Sequence, residues 1–120
     1  MTAPRYPLEG VVSWNMNTTC NYRCTYCTQR FLDHRNRWAR DLPRFVEAFC
    51  ALPGDWEVKL SGGEPFLHPG FLEGVRALTQ GGVRVSVVTN LSASDQVLER
   101  FARATAARPG LLSASLHLEM

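Results

Sequence analysis

Apolar positions along the chain recur with two different periods, and the switches between them predict its elements. Val11 to Met16 reads as a first strand, rich in β-branched and aromatic residues, and a cysteine-bearing loop follows it. Asp41 or Leu42 is expected to open a helix, with Pro43 tolerated in its first turn. Leu42, Phe45, Val46, Phe49 and Cys50 then fall on the i, i+3, i+4, i+7, i+8 stripe of a core-facing helix. Pro53-Gly54 ends it. Trp56 to Ser61 reads as a second strand, after which Gly62-Gly63 turns the chain. Pro69 is expected to start a second helix with Phe71, Leu72, Val75 and Leu78 on one side, closed by Gly81-Gly82. Val83 to Thr89 reads as a third strand. Ser92 or Ser94 caps a third helix, with Asp95 favourable at the positive end of its dipole. Val97, Leu98, Phe101 and Ala102 form its inner face, and Arg108-Pro109-Gly110 is expected to close it. Leu111 to Leu118 is a fourth strand.

Strands that alternate with single helices imply right-handed β-α-β crossovers and a parallel sheet, so the fold class is α/β. A complete barrel of eight such units takes about 250 residues, or roughly 30 per unit. At 120 residues the chain has room for a partial TIM-type (βα)n barrel, β-α-β-α-β-α-β, truncated before the remaining units. Residues 1–10 read as an N-terminal extension and 11–120 as the incomplete core.

The strands carry a second pattern. Parallel strands covered on both faces usually read as unbroken apolar runs. Here Trp56, Val58 and Leu60 alternate with Glu57, Lys59 and Ser61. Leu112, Ala114, Leu116 and Leu118 alternate with Ser113, Ser115, His117 and Glu119. Ser13 and Asn15 lie between Val12, Trp14 and Met16, and Arg84, Ser86 and Asn90 flank Val85 and Val87. The apolar parity must face the helices. The polar parity is either a sheet face open to water or the lining of a lumen that holds a polar cofactor and substrate.

Composition narrows the classes. Hydrophobic residues make up 45% and charged residues 20%, which excludes a disordered or collagen-like chain. No apolar run approaches the roughly 18 residues a membrane span needs, and Met1 to Leu8 lacks a signal-peptide core. A cytoplasmic location, with thiols kept reduced, is the expectation. The net charge of +2 is too small to imply nucleic-acid binding. Of the 13 basic residues all but Lys59 are Arg, and they are scattered; the densest stretch, Arg23 to Arg44, reads as solvated loop and helix start or as a contact surface.

The cysteines decide more. Cys20, Cys24 and Cys27 are separated by three residues and then two. Thiolates this close can converge on one iron–sulfur cluster, and short Cys runs hold such clusters. A cubane needs four ligands, and three from this loop would leave one iron open to a substrate. The competing reading is a Cys3His zinc site with His34 as fourth ligand. An iron–sulfur electron carrier is a further alternative, although a carrier would want a fourth Cys. Cys50 sits on the apolar stripe of the first helix, where a free Cys behaves as a small buried hydrophobe.

Ser61-Gly62-Gly63-Glu64-Pro65 directly follows the second strand. Two glycines let backbone pass close to a ligand, and parallel α/β folds bind ligands at the carboxyl ends of strands. Glu64 is expected as a hydrogen-bond acceptor or counter-charge there, against the alternative of an exposed turn residue.

Together these residues resemble the radical S-adenosylmethionine (SAM) superfamily. Cys20, Cys24, Tyr26 and Cys27 match its cysteine loop, and Gly62, Gly63 and Glu64 match its Gly-Gly-Glu motif after strand two. The resemblance runs from about Val11 to the C-terminus. It implies that Cys20, Cys24 and Cys27 hold a [4Fe-4S] cluster whose open iron is chelated by the amino and carboxylate groups of SAM. Tyr26 would seat the adenine, largely through its backbone. Gly62 and Gly63, with Glu64 behind them, would receive the methionine ammonium. Asn90, after Thr89 at the end of strand three, and Ser115 on strand four look like the ribose and carboxylate contacts, with Ser115 on the lumen parity. The implied activity is reductive cleavage of SAM to a 5′-deoxyadenosyl radical, with no catalytic residue beyond the cluster. A one-electron reductant such as flavodoxin or ferredoxin would be its partner, and its substrate a peptide, small molecule or RNA. The superfamily core usually has six β-α units, and strands five and six normally add contacts that this chain lacks.

Overall fold

A computed structural model describes residues 8–17 and 35–114. Four strands and three α-helices alternate: β1 (Gly10–Asn15), α1 (Arg35–Cys50), β2 (Trp56–Ser61), α2 (Phe71–Gln80), β3 (Arg84–Thr89), α3 (Asp95–Ala104) and β4 (Pro109–Ala114). A short 3-10 turn, Pro65–Leu67, joins β2 to α2. The strands pair in the order β1-β2-β3-β4, all parallel. Because the order never reverses, successive right-handed crossovers put every helix on the same face, as in a barrel wall. The sheet is not closed.

Alternation does what the pattern requires on β1 and β2. Trp14, Val58 and Leu60 are buried under the helices while Ser13, Asn15 and Lys59 are exposed. Trp14 stacks on Phe45 at 5.1 Å and meets Phe49 edge-on at 5.2 Å, which fixes α1 against β1. Val75, Leu78, Val85 and Val87 complete the centre. Phe66, Phe71 and Phe101 cluster between the 3-10 turn, α2 and α3, with centroids 4.4 to 5.8 Å apart. Such aromatic pairs add to area burial through their ring quadrupoles.

Several boundaries differ from expectation. Helix α1 begins at Arg35, not at Asp41 or Leu42, so Pro43 lies inside it. The apolar stripe extends back to Trp38, which stacks on His68 at 6.2 Å, and that contact draws in the extra turns. Pro43 forgoes one helical hydrogen bond but lies on the exposed side. Helix α2 starts at Phe71 after Gly70, two residues later than Pro69 suggested. Helix α3 is capped by Ser94, whose Oγ accepts from the Val97 N–H. It ends at Ala104, before Arg108-Pro109-Gly110, because the Thr105 hydroxyl and N–H turn back onto the Phe101 carbonyl. Ala102 is exposed, not inward.

The last strand departs furthest. Pro109 and Gly110 belong to β4, and Leu111 to Ala114 are all exposed. Val85 pairs with Pro109 but Val87 pairs with Leu112, so β4 carries one extra residue, a bulge. Ser86, expected on the open polar face, is buried at 1% exposure because it serves this bulge: its Oγ accepts from the Leu111 N–H at 2.9 Å. Arg84 is buried too. Leu116 and Leu118 lie outside the described residues.

Gly110 packs directly on β3. A Cβ there would collide with the Val85 carbonyl and Ser86 Oγ. Gly110→Ala is therefore expected to lower stability by about 1 to 3 kcal/mol through overpacking. Leu111→Ala, at a position 71% exposed, should stay within about 0.5 kcal/mol. Denaturant unfolding of the two variants measures both.

Candidate functional site

The Gly-Gly-Glu segment emerges at the carboxyl end of β2, beside the end of β1. Backbone pairing continues past the strands there. Met16 N–H donates to the Ser61 carbonyl at 3.0 Å, and Gly63 N–H donates to the Asn17 carbonyl at 2.8 Å. The Asn17 side-chain amide donates to the Glu64 carbonyl at 3.0 Å. Asn17 is thus bonded to the turn twice, and it is the last described residue before the cysteine loop.

Gly62 has φ near +148°, and a Cβ on it would strike the Asn17 carbonyl and Oδ1. Only glycine fits that approach without strain. The space beside Gly62 is filled by Asn17, so this glycine answers a packing demand of the chain itself.

Glu64 is not an exposed turn residue. It is 1% exposed, and its carboxylate is held by the protein. Oε1 accepts from the Asn90 N–H at 2.7 Å; Oε2 accepts from the Thr89 hydroxyl at 2.7 Å and from the Phe66 N–H at 3.2 Å. Three of about four acceptor positions are used, which is how a buried carboxylate avoids its desolvation cost. The Phe66 bond also caps the 3-10 turn. The expected acceptor role holds, toward the chain's own donors.

Thr89 Oγ1 in turn accepts from the Leu91 N–H at 3.1 Å. Leu91 takes φ near +60°, uncommon for a non-glycine residue, so the loop after β3 is held in a tight and strained course. Asn90 Oδ1 accepts from the Ser92 N–H at 3.0 Å, an Asx turn within that loop. The polar groups of Thr89 and Asn90 therefore shape the loop beside the Gly-Gly turn. Sequence reasoning missed Asn17 altogether and named Thr89 only with Asn90, as a ligand contact and not as a partner of Glu64. Asn17 is a polar residue closing an apolar strand, and Thr89 is the polar end of the apolar parity of β3; each broken pattern was a usable signal.

A cleft of about 240 Å³ opens beside the end of β1, lined by Met16, Trp38, Asp41 and His68 among others. His68 is buried, and its Nδ1 accepts from the Gly70 N–H at 3.0 Å. That bond requires an unprotonated Nδ1, and burial pushes the imidazole below its ordinary value of 6.5.

Cys20, Cys24, Cys27, Tyr26, Ser115 and the zinc candidate His34 lie outside the described residues. Among the described residues no group of three or more His, Cys, Asp or Glu could hold a metal. Cys50 packs against the core, its thiol 3.9 Å from the Ala77 carbonyl and pushed up by burial. It is the last residue of α1.

Fold and site define a singly wound parallel α/β protein with a clamped Gly-Gly turn at the strand ends where barrels bind ligands. The chain belongs to the radical SAM superfamily, whose family model matches residues 14–117. It is 32% identical over 106 residues to a probable GTP 3′,8-cyclase of Thermococcus kodakarensis, covering 86% of this chain and 33% of that protein. It is 29% identical over 97 residues to an S-adenosylmethionine-dependent nucleotide dehydratase of Psychrobacter lutiphocae, covering 68% and 33%. A GTP 3′,8-cyclase of Haemophilus ducreyi is 31% identical over 83 residues, covering 63% and 24%. The chain thus spans a third or less of these curated relatives. Membership of the superfamily implies a [4Fe-4S] cluster and SAM. No described helix is long and apolar enough to cross a membrane.

Two outcomes follow from the clamp and its neighbour. Thr89→Val removes one hydrogen bond to a buried carboxylate and should cost about 1.5 to 3 kcal/mol, with Thr89→Ser retaining most of it. For His68, the unfolded chain takes up a proton near pH 6.5 while the folded chain resists until lower pH. The unfolded state then binds more protons, so stability should fall as pH drops below 6.5, and His68→Phe should remove that component of the slope. Unfolding titrations across pH measure both.

Proposed function

We propose that this chain is the cofactor-binding part of a radical SAM enzyme, with residues 11–120 as the opening of its core. Cys20, Cys24 and Cys27 would hold the [4Fe-4S] cluster. The observation that carries the reading is the Gly62-Gly63-Glu64 turn, clamped beside the end of the strand from which the cysteine loop departs. Its donor and acceptor chemistry fits SAM. The Glu64 carboxylate is committed to Thr89, Asn90 and Phe66, so an ammonium group would be received by backbone carbonyls at Gly62 and Gly63. An ammonium has donors and no acceptor, so carbonyls suffice.

When bound, the cluster and SAM supply a one-electron reduction of the sulfonium that releases a 5′-deoxyadenosyl radical. The chain's own part is to bind and orient. Glu64 fixes the ends of β2 and β3 relative to each other, Tyr26 would seat the adenine, and Asn90 and Ser115 would serve the ribose or carboxylate. A small one-electron donor of the flavodoxin or ferredoxin class would reduce the cluster.

After anaerobic reconstitution with iron and sulfide, about four irons per chain are expected. Replacing Cys20, Cys24 or Cys27 by Ala should abolish the broad charge-transfer absorbance. Cys50→Ala should leave it intact, and a colourless, zinc-containing parent would sink the reading.

A further inference from the structure

We propose that Asn17 is a positioning residue for the ligand-receiving carbonyl of Gly62, an inference that rests on the SAM reading above. Asn17 grips the turn at two points. Its carbonyl takes the Gly63 N–H at 2.8 Å, and its side-chain amide gives a hydrogen bond to the Glu64 carbonyl at 3.0 Å. Gly62 C=O and Gly63 N–H belong to one peptide unit, and in a planar trans peptide they point in opposite directions. Since the N–H is directed at Asn17 on the β1 side, the Gly62 carbonyl is directed away from β1, toward the side where β3 lies.

The β2–β3 pairing reaches its last registered pair at Leu60 and Val87, two residues before Gly62. Past that point the two strand ends are tied by the Glu64 carboxylate to Thr89 and Asn90. The Gly62 carbonyl therefore emerges beyond the registered ladder, at the mouth of the sheet. Rotating the peptide by half a turn would present an N–H there, which repels an ammonium. Asn17 prevents that rotation by holding both ends of the segment, the Gly63 N–H and the Glu64 carbonyl.

The side chain bears a cost that folding alone does not explain. Asn17 is 2% exposed, yet its Oδ1 is buried with no hydrogen-bond partner among the described residues. Its closeness to Gly62 excludes any side chain there. A leucine would fill this space without an orphaned oxygen, but it would lack the donor that anchors Glu64. The amide is retained for its grip on the turn.

The test compares two ligands by equilibrium binding to the reconstituted chain. S-adenosylhomocysteine carries the amino-acid ammonium; 5′-methylthioadenosine has the same nucleoside without it. Asn17→Ala should weaken the first roughly tenfold and the second less than about twofold. Cluster absorbance should be unchanged. Asn17→Ser gives the same selective loss, to a smaller degree, if the alanine variant does not fold. Thr105→Val removes a buried hydroxyl bond to the Phe101 carbonyl, remote from the turn, and should alter neither affinity. Equal weakening of both ligands, unchanged binding in both Asn17 variants, or the same loss in Thr105→Val would overturn the positioning role. A parent chain that assembles the cluster but binds neither ligand would instead overturn the SAM reading itself, and this inference with it.

Discussion

The buried carboxylate of Glu64 is the constraint on which the carboxyl end of this sheet depends. A carboxylate at 1% exposure is tolerable only if donors are brought to it. Those donors come from three places: the 3-10 turn at Phe66, the last residue of β3 at Thr89 and the loop beyond it at Asn90. Satisfying one side chain therefore fixes two strand ends and the turn between β2 and α2. Loss of any one donor would leave charge short of partners in a dry place, so the three elements are coupled. The strained φ of Leu91 is consistent with that coupling, since Thr89 Oγ1 serves both Glu64 and the Leu91 N–H.

Much of this was legible in the sequence. The order of elements and the parallel sheet followed from alternating periods, and Ser94 announced its cap. Gly62-Gly63-Glu64 was visible as a turn because two glycines follow a strand. What stayed hidden depended on distant partners. Glu64 could be read as an acceptor but not as one that the chain itself satisfies, because Thr89 and Asn90 lie 25 and 26 residues away. The start of α1 was misplaced because Pro43 reads locally as a first-turn residue, while Trp38 finds its reason in His68 across the fold. Ser86 matched the polar parity yet is buried, since an extra residue in β4 brings the Leu111 N–H onto it. A bulge changes which polar side chains meet water, and the period of two does not reveal it.

Both ends of the sheet bury polar side chains, in different company. In a parallel β-α unit each helix runs back against its strand, so Cys50 and Gly81, at the ends of α1 and α2, lie together at the amino ends of the strands. There Cys50 packs against Gly81, and Thr79, Arg84 and Thr105 are buried polar side chains. Cys50 is in contact with the core, and its thiol lies near the Ala77 carbonyl with its ionisation suppressed by burial. At the carboxyl ends Asn17, Glu64, His68 and Thr89 are buried polar side chains, beside the buried Met16 and Pro65.

The carboxyl end of the sheet is rigid because its hydrogen bonds run between elements: β1 to the Gly-Gly turn, the turn to β3, and β3 to its own following loop. A turn tied to both neighbouring strand ends in this way is held in one orientation. The same network makes Gly62 irreplaceable for a reason internal to the chain, since Asn17 already occupies the place its side chain would take.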